Sequence, residues 1–271
     1  MSTLTTTTAF TNGVEIPTLG FGTWQVPDGP ATYDAVTEAL RVGYRHIDTA
    51  RAYGNEASVA RAIADSGIPS EEIFVTTKIP AQLKTYDEAV ESIRLSLDKL
   101  GRIDLMLIHA PWPWDAIGTD HTEGNAEVWR AMEEAYERGE LRAIGVSNFE
   151  VEHLTALLGT AKVTPHANQI RFFPGHAQAG VSSFCADRGI VVEAYSPLAT
   201  GALLGSRELA AVAERYGRTV AQLSIRYVLQ KGAVALPKTT TPSRMVENAD
   251  VDFEISATDM AYLDGLADPT V

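Results

Sequence analysis

Apolar residues along this chain fall into two alternating kinds of run. The short kind occupies residues 18–24 (TLGFGTW), 44–49 (YRHIDT), 73–78 (IFVTTK), 103–109 (IDLMLIH), 142–147 (RAIGVS), 166–170 (HANQI), 190–195 (IVVEAY) and 233–238 (AVALPK). Those at 73–78, 103–109, 190–195 and 233–238 are nearly continuous in apolar residues, as parallel strands covered on both faces are. The long kind repeats at helical spacing. In 86–100, Tyr86, Ala89, Val90, Ile93, Leu97 and Leu100 share a stripe that excludes Glu88, Glu91, Arg94 and Asp98. Val128, Trp129, Met132, Ala135 and Tyr136 do the same in 126–138, and Val220, Leu223, Ser224, Tyr227 and Val228 in 219–230. Gly67, Gly101, Gly139, Gly189 and Gly232 mark helix ends. Further helices are predicted at 207–216 and 257–267.

Eight strands with a helix after each predict an α/β fold, a (β/α)8 TIM barrel. The rival, a doubly wound open sheet, announces a dinucleotide site with G-x-G-x-x-G after its first strand. GFGTWQ has Gln25 where the third glycine belongs. Residues 1–271 read as one barrel domain, with a loose N-terminal segment over about 1–9.

Composition narrows the function. The chain has 271 residues, 45% of them hydrophobic, and a net charge of -13. So acidic a surface disfavours nucleic acid and anionic membrane as partners. The one cysteine, Cys185, permits no internal disulfide and suits a reducing compartment. MSTLTTTTAF lacks a basic region followed by an apolar run, and no stretch reads as a membrane span. A cytoplasmic monomer is the expectation.

In a barrel, chemistry sits where strands end at the C-terminal face. There the second strand delivers Asp48, with Tyr53 in the loop beyond it; the third delivers Lys78 and the fourth His109. A tyrosine phenol, with a pKa near ~10, is a poor acid at neutral pH. A lysine cation beside it favours the phenolate, and a carboxylate paired to the lysine keeps that cation charged and in place. His109 can orient a carbonyl oxygen. Together they make a proton donor for a developing alkoxide, and the hydride must then come from a cofactor. Each residue alone has a plainer reading, as an ion pair, a core histidine or a packed ring. The four at the ends of consecutive strands favour chemistry. His46 reads as a hydrogen-bonded interior residue, and no metal site is expected.

The later strands supply a cofactor surface. Ser147 and Asn148 end the fifth, Asn168 and Gln169 lie on the sixth, and Tyr195 and Ser196 end the seventh, offering amides, hydroxyls and a ring. In PKTTTPSRMVEN, Pro242 suits the first turn of a helix capped by Thr241. Lys238, Thr239 and Arg244 gather at that N-terminus, a place for a ligand phosphate.

With these motifs assembled, the chain resembles the aldo-keto reductases from LGFGTW to ADP, and most of all their bacterial 2,5-diketogluconate reductase-like members. GYRHIDTARAYGNE, VTTK, DLMLIH, AIGVSNF, AYSPL and LPKTTTPSRMVEN carry the resemblance. It implies a barrel that binds extended NADPH and reduces small aldehydes or ketones, α-dicarbonyls or keto sugars among them. It implies Asp48, Tyr53, Lys78 and His109 as a catalytic tetrad, with Tyr53 as general acid. Ser147, Asn148 and Gln169 would hold the carboxamide, and Tyr195 would stack on the nicotinamide. Lys238, Thr239 and Arg244 would meet the 2′-phosphate, and Glu247 and Asn248 the adenine. Thr23, Asp48, Ser196 and Leu198 complete the implied cofactor contacts. Departures from the family pattern at Ala110, at 79–82 (IPAQ) and at Arg171, with a chain that ends soon after its last helix, imply an open substrate pocket. Trp24 and Trp112 are expected to line it beside Tyr53 and His109. Two rivals are a Schiff-base aldolase using Lys78 and a regulatory module that binds cofactor without turnover.

Overall fold

The computed structural model describes residues 3–269. A short hairpin, β1 (Thr7–Ala9) and β2 (Glu15–Pro17), precedes eight parallel strands. These are β3 (Phe21–Gly22), β4 (His46–Asp48), β5 (Phe74–Ile79), β6 (Ile103–Ile108), β7 (Leu141–Ser147), β8 (Ala167–Arg171), β9 (Val191–Tyr195) and β10 (Val234–Leu236). They pair in chain order. The ring closes where Leu19 bridges Ala235 and where Gly20 N and Gly22 N donate to the carbonyls of Ala235 and Pro237. This is the predicted (β/α)8 barrel, with each short apolar run supplying one strand.

The helices are α1 (Pro30–Val42), α2 (Glu56–Asp65), α3 (Tyr86–Leu100), α4 (Thr122–Glu137), α5 (Val151–Leu158), α6 (Ala179–Ala186), α7 (Arg207–Arg215), α8 (Val220–Gln230), α9 (Pro242–Ala249) and α10 (Ala257–Asp264). All five predicted glycine stops have positive φ, from 67° at Gly189 to 80° at Gly232, where a Cβ would be strained. On α3, Val90 leaves the predicted stripe and is exposed, while Ser92 and Ser96 are buried instead. Ser96 is buried because its hydroxyl donates to the buried Glu56 carboxylate at 2.9 Å. None of the helices among the described residues is long and apolar enough to cross a membrane.

Two apolar cores result. The larger lies between strands and helices, around Ile47, Met106, Ile144 and Trp129. The smaller fills the barrel interior, where Phe10 and Ile16 pack against Phe74, Leu105, Leu107, Val234 and Leu236. The hairpin thus plugs the N-terminal end of the barrel. The expected loose start gives way here. Residues 3–5 form a 3-10 turn, and the backbone N–H and hydroxyl of Thr3 both donate to Asp252. Residues 7–9 are strand β1, so from residue 3 onward the segment is held by these bonds; Met1 and Ser2 lie outside the described residues.

Candidate active site

The C-terminal rim opens into a cavity of about 840 Å³. Nearly every residue expected at the site lines it: Trp24, Asp48, Tyr53, His109, Ser147, Asn148, Gln169, Tyr195, Ser196, Leu198, Lys238, Thr239, Arg244, Glu247 and Asn248. Lys78, Thr23 and Trp112 do not. Lys78 sits inside β5, 1% exposed, below the cavity floor. The Thr23 hydroxyl is turned onto the Asp48 carbonyl at 3.0 Å. Trp112 packs edge-on against Trp114, at 5.3 Å between centroids, and it is Trp114 that reaches the cavity, edge-on to His109 at 5.5 Å. Asn168 also stays out. It alternates with Gln169 along β8, faces away from the axis and donates to the Phe149 carbonyl at 2.9 Å.

Strand geometry assembles the centre. Parallel register sets Asp48 opposite Thr76 and Lys78 opposite Leu107. The Lys78 ammonium then spends all three of its donors, on Asp48 Oδ1 at 2.8 Å, Asp48 Oδ2 at 2.7 Å and the Thr49 carbonyl at 2.8 Å. Burial works against its charge, but the Asp48 carboxylate above all offsets it, and the amine is held above its ordinary range. Such a lysine is a fixed cation. Schiff-base chemistry needs a neutral amine, and this environment disfavours one.

Above it, Lys78 Nζ lies 5.2 Å from the centre of the Tyr53 ring, and that ring meets His109 edge-on at 5.6 Å. Tyr53 differs from expectation in one respect. Burial raises its phenol by more than Lys78 lowers it, so it stays above its ordinary value. The cation moderates the cost of burial rather than making a strong acid. The phenol is therefore protonated at neutral pH, and an alkoxide is a far stronger base than phenolate, so donation remains downhill. Burial and then Lys78 press His109 down to about 3, which leaves a neutral imidazole able to donate one hydrogen bond.

The expected cofactor amides are already engaged by neighbouring groups of the site. Asn148 Nδ2 donates to the His109 carbonyl at 3.0 Å, and its Oδ1 accepts from the Tyr195 hydroxyl at 2.7 Å. Gln169 Nε2 donates to Asp48 Oδ2 at 2.9 Å. Six non-glycine residues among those described have φ between 43° and 61°, and four of them, Gln25, Asn148, Ser196 and Thr200, line the cavity. Strained backbone of this kind collects where a ligand dictates the shape. Thr241 precedes Pro242 as predicted but makes no side-chain cap on α9, so Lys238, Thr239 and Arg244 surround an uncapped helix start. His46 is interior, as expected, with Nε2 3.0 Å from Thr76 Oγ1; Gly20 must lack a Cβ because one would lie 2.6 Å from the His46 ring. No group of three or more His, Cys, Asp or Glu side chains among the described residues is placed to hold a metal.

Sequence reasoning passed over five residues that shape the site. Lys84 Nζ donates to the Ala110 carbonyl at 2.9 Å and to Asn125 Oδ1 at 2.7 Å, and Asn125 Nδ2 holds the Pro111 carbonyl. This clamps the start of the loop that carries Trp114. Thr200 and Leu204, after β9, add a wall to the cavity. Glu193, a lone acid in the apolar run at 190–195, was a readable signal, and it lies buried on the barrel axis.

Fold and rim chemistry together define a barrel oxidoreductase that works with a nicotinamide cofactor. The profile of the Aldo/keto reductase family matches residues 18–268. Glyoxal reductase of Bacillus subtilis (strain 168) is 41% identical over 258 residues, 94% of this chain and 90% of that protein. The crystal structure of an aldo/keto reductase from Brucella melitensis superposes with a TM-score of 0.89 at 39% identity, covering 96% of this chain and 98% of the other. That of a Bombyx mori aldo-keto reductase in complex with NADP does so at 0.85 and 33%, covering 96% and 92%. The chain belongs to the aldo/keto reductase family and is an NAD(P)H-dependent oxidoreductase.

Proposed function

We propose that this protein reduces small aldehydes and ketones, α-dicarbonyls among them, to alcohols with NADPH. The observation that carries the reading is Tyr53 and His109 side by side on the cavity wall, directly above the buried Lys78–Asp48 pair. Bound NADPH supplies the hydride. The donor set suits it, since the cations Lys238 and Arg244, the Asn148 and Gln169 amides and the Tyr195 ring all line the same cavity. Lys238, Thr239 and Arg244 would hold the 2′-phosphate, Glu247 and Asn248 the adenine, and Ser147, Asn148 and Gln169 the carboxamide beside Tyr195. The neutral His109 donates to the carbonyl oxygen and aims it at Tyr53. Tyr53 gives its phenolic proton to that oxygen as negative charge develops there, and Lys78 stabilises the phenolate left behind. The resemblance to glyoxal reductase favours small dicarbonyl substrates.

The test is NADPH oxidation over a panel of small aldehydes, α-dicarbonyls and keto sugars, with Tyr53→Phe alongside. Phenylalanine keeps the ring but removes the proton, so turnover falls by about 10²- to 10⁴-fold while NADPH still binds. Near wild-type reduction by this variant refutes the mechanism, and a wild-type chain that binds NADPH and reduces nothing in the panel refutes the activity.

A further inference from the structure

Beneath the Asp48–Lys78 pair the barrel axis holds a second acid that this reduction leaves unused. Glu193 lies on β9 and is completely buried. Its Oε2 accepts from Gln169 Nε2 at 3.4 Å, and the same Nε2 donates to Asp48 Oδ2 at 2.9 Å, so one amide spans both carboxyl groups. Its Oε1 is buried without a hydrogen-bond partner, 3.7 Å from His46 Nε2. The titratable groups facing it are Asp48 and His46 on β4 and Lys78 on β5. Gln169 faces it from β8, and β10, paired on its other side, presents only Val234, Ala235 and Leu236.

These neighbours offer one cation to two carboxyls, and Lys78 is fully engaged by Asp48 and Thr49. His46 does not serve as a second. An imidazolium bound to a carboxylate closes to about 2.7–2.9 Å, well inside the distance found here, and burial holds His46 down to about 4. Two carboxylates sharing a dry interior with one cation repel, and the cheaper state keeps one proton. Burial first, then the Asp48 charge, pushes Glu193 up to about 8.

We infer that Glu193 is a positioning residue of the tetrad: as a neutral carboxylic acid on the barrel axis it fixes Gln169 and confines the negative charge to Asp48, so that Asp48 holds Lys78 in place beneath Tyr53. Ionised, it competes with Asp48 for Lys78 and Gln169, and the alignment is lost. The catalytic consequence rests on the reductase reading; the protonation state does not.

The experiment uses the full chain with NADPH and a small aldehyde. Glu193→Ala removes the acceptor for Gln169 and lowers kcat on the order of 10-fold, the scale of a small misplacement of reacting groups. Glu193→Gln recovers most of that loss, because its carbonyl accepts from Gln169 and carries no charge. Wild-type kcat falls above about pH 8, where the acid ionises, and Glu193→Gln displaces that fall to higher pH. Infrared difference spectra of wild type and Glu193→Gln read the carboxylic C=O band directly. The band is expected at neutral pH, is lost above about pH 8, and is absent from the variant. A Glu193→Gln profile that still falls at the wild-type pH, or a spectrum without the protonated acid at neutral pH, overturns the proposal. The band supports the neutral acid even if the wild type reduces no carbonyl compound, so the two failures are distinguishable.

Discussion

Lys78→Met removes one cation while keeping a flexible apolar side chain of similar reach, so most of the packing inside β5 survives. What disappears are three short hydrogen bonds, two to Asp48 and one to the Thr49 carbonyl. Asp48, 4% exposed, is then left with the Gln169 amide but without its counter-ion. Removing one partner of a buried pair costs about 3–5 kcal/mol, a large share of the roughly 5–15 kcal/mol that keeps a domain folded. Asp48→Asn in the same background deletes the stranded charge. The double variant should therefore be more stable than the two single losses predict, by about 1–3 kcal/mol of coupling. Urea unfolding of the four proteins, followed by tryptophan fluorescence, measures this from midpoints and slopes. Turnover should fall by about 10²-fold or more in Lys78→Met, because the phenolate of Tyr53 forms without its cation. Simply additive stability losses would show that Lys78 and Asp48 are not an energetic unit, and the account of how the lysine stays charged would fail with them.

Arg244→Ala should weaken NADPH binding by about 10- to 150-fold, the worth of one charged hydrogen bond of about 1.5–3 kcal/mol, and leave NADH binding nearly as it was; equal losses in a fluorescence titration would exclude a 2′-phosphate contact. Trp114→Ala should raise KM for aromatic aldehydes by about 2- to 10-fold and Trp112→Ala by less, since only Trp114 reaches the cavity; the reverse order in steady-state kinetics would contradict the loop geometry. Glu193 also imposes a pH-dependent burden on folding. Its acid is raised from 4.5 to about 8 in the folded chain, so folding takes up a proton between those values and stability falls as pH rises through that window. Glu193→Gln should gain on wild type across the same window and level off above it, and a stability difference independent of pH would refute the assignment.

Much of this protein was legible in the sequence because its signals are local. A buried parallel strand must be apolar on both faces, so IFVTTK and IDLMLIH declare β5 and β6 without reference to anything distant. A helix must stop at a residue that tolerates positive φ, so five glycines mark ends that the fold respects. Asp48, Tyr53, Lys78 and His109 could be collected at one rim because barrel topology sends the ends of consecutive strands to the same face. Tertiary structure alone decided what depends on distance and solvent. Whether Tyr53 is acidified or merely kept from becoming more basic is a balance between desolvation and one cation 5.2 Å from the ring centre, and spacing carries no dielectric. Trp114 rather than Trp112 lines the cavity, on a loop after β6 whose start is held by Lys84 and Asn125, residues distant from it in the chain. The N-terminal threonines look loose in sequence, yet Thr3 is fastened by Asp252 from the far end of the chain and Thr7 and Thr8 lie in strand β1. Glu193 is one acid in an apolar run until the barrel closes. Only then does it share a single amide and a single cation with Asp48, and a proton held on the axis becomes the lower-energy state.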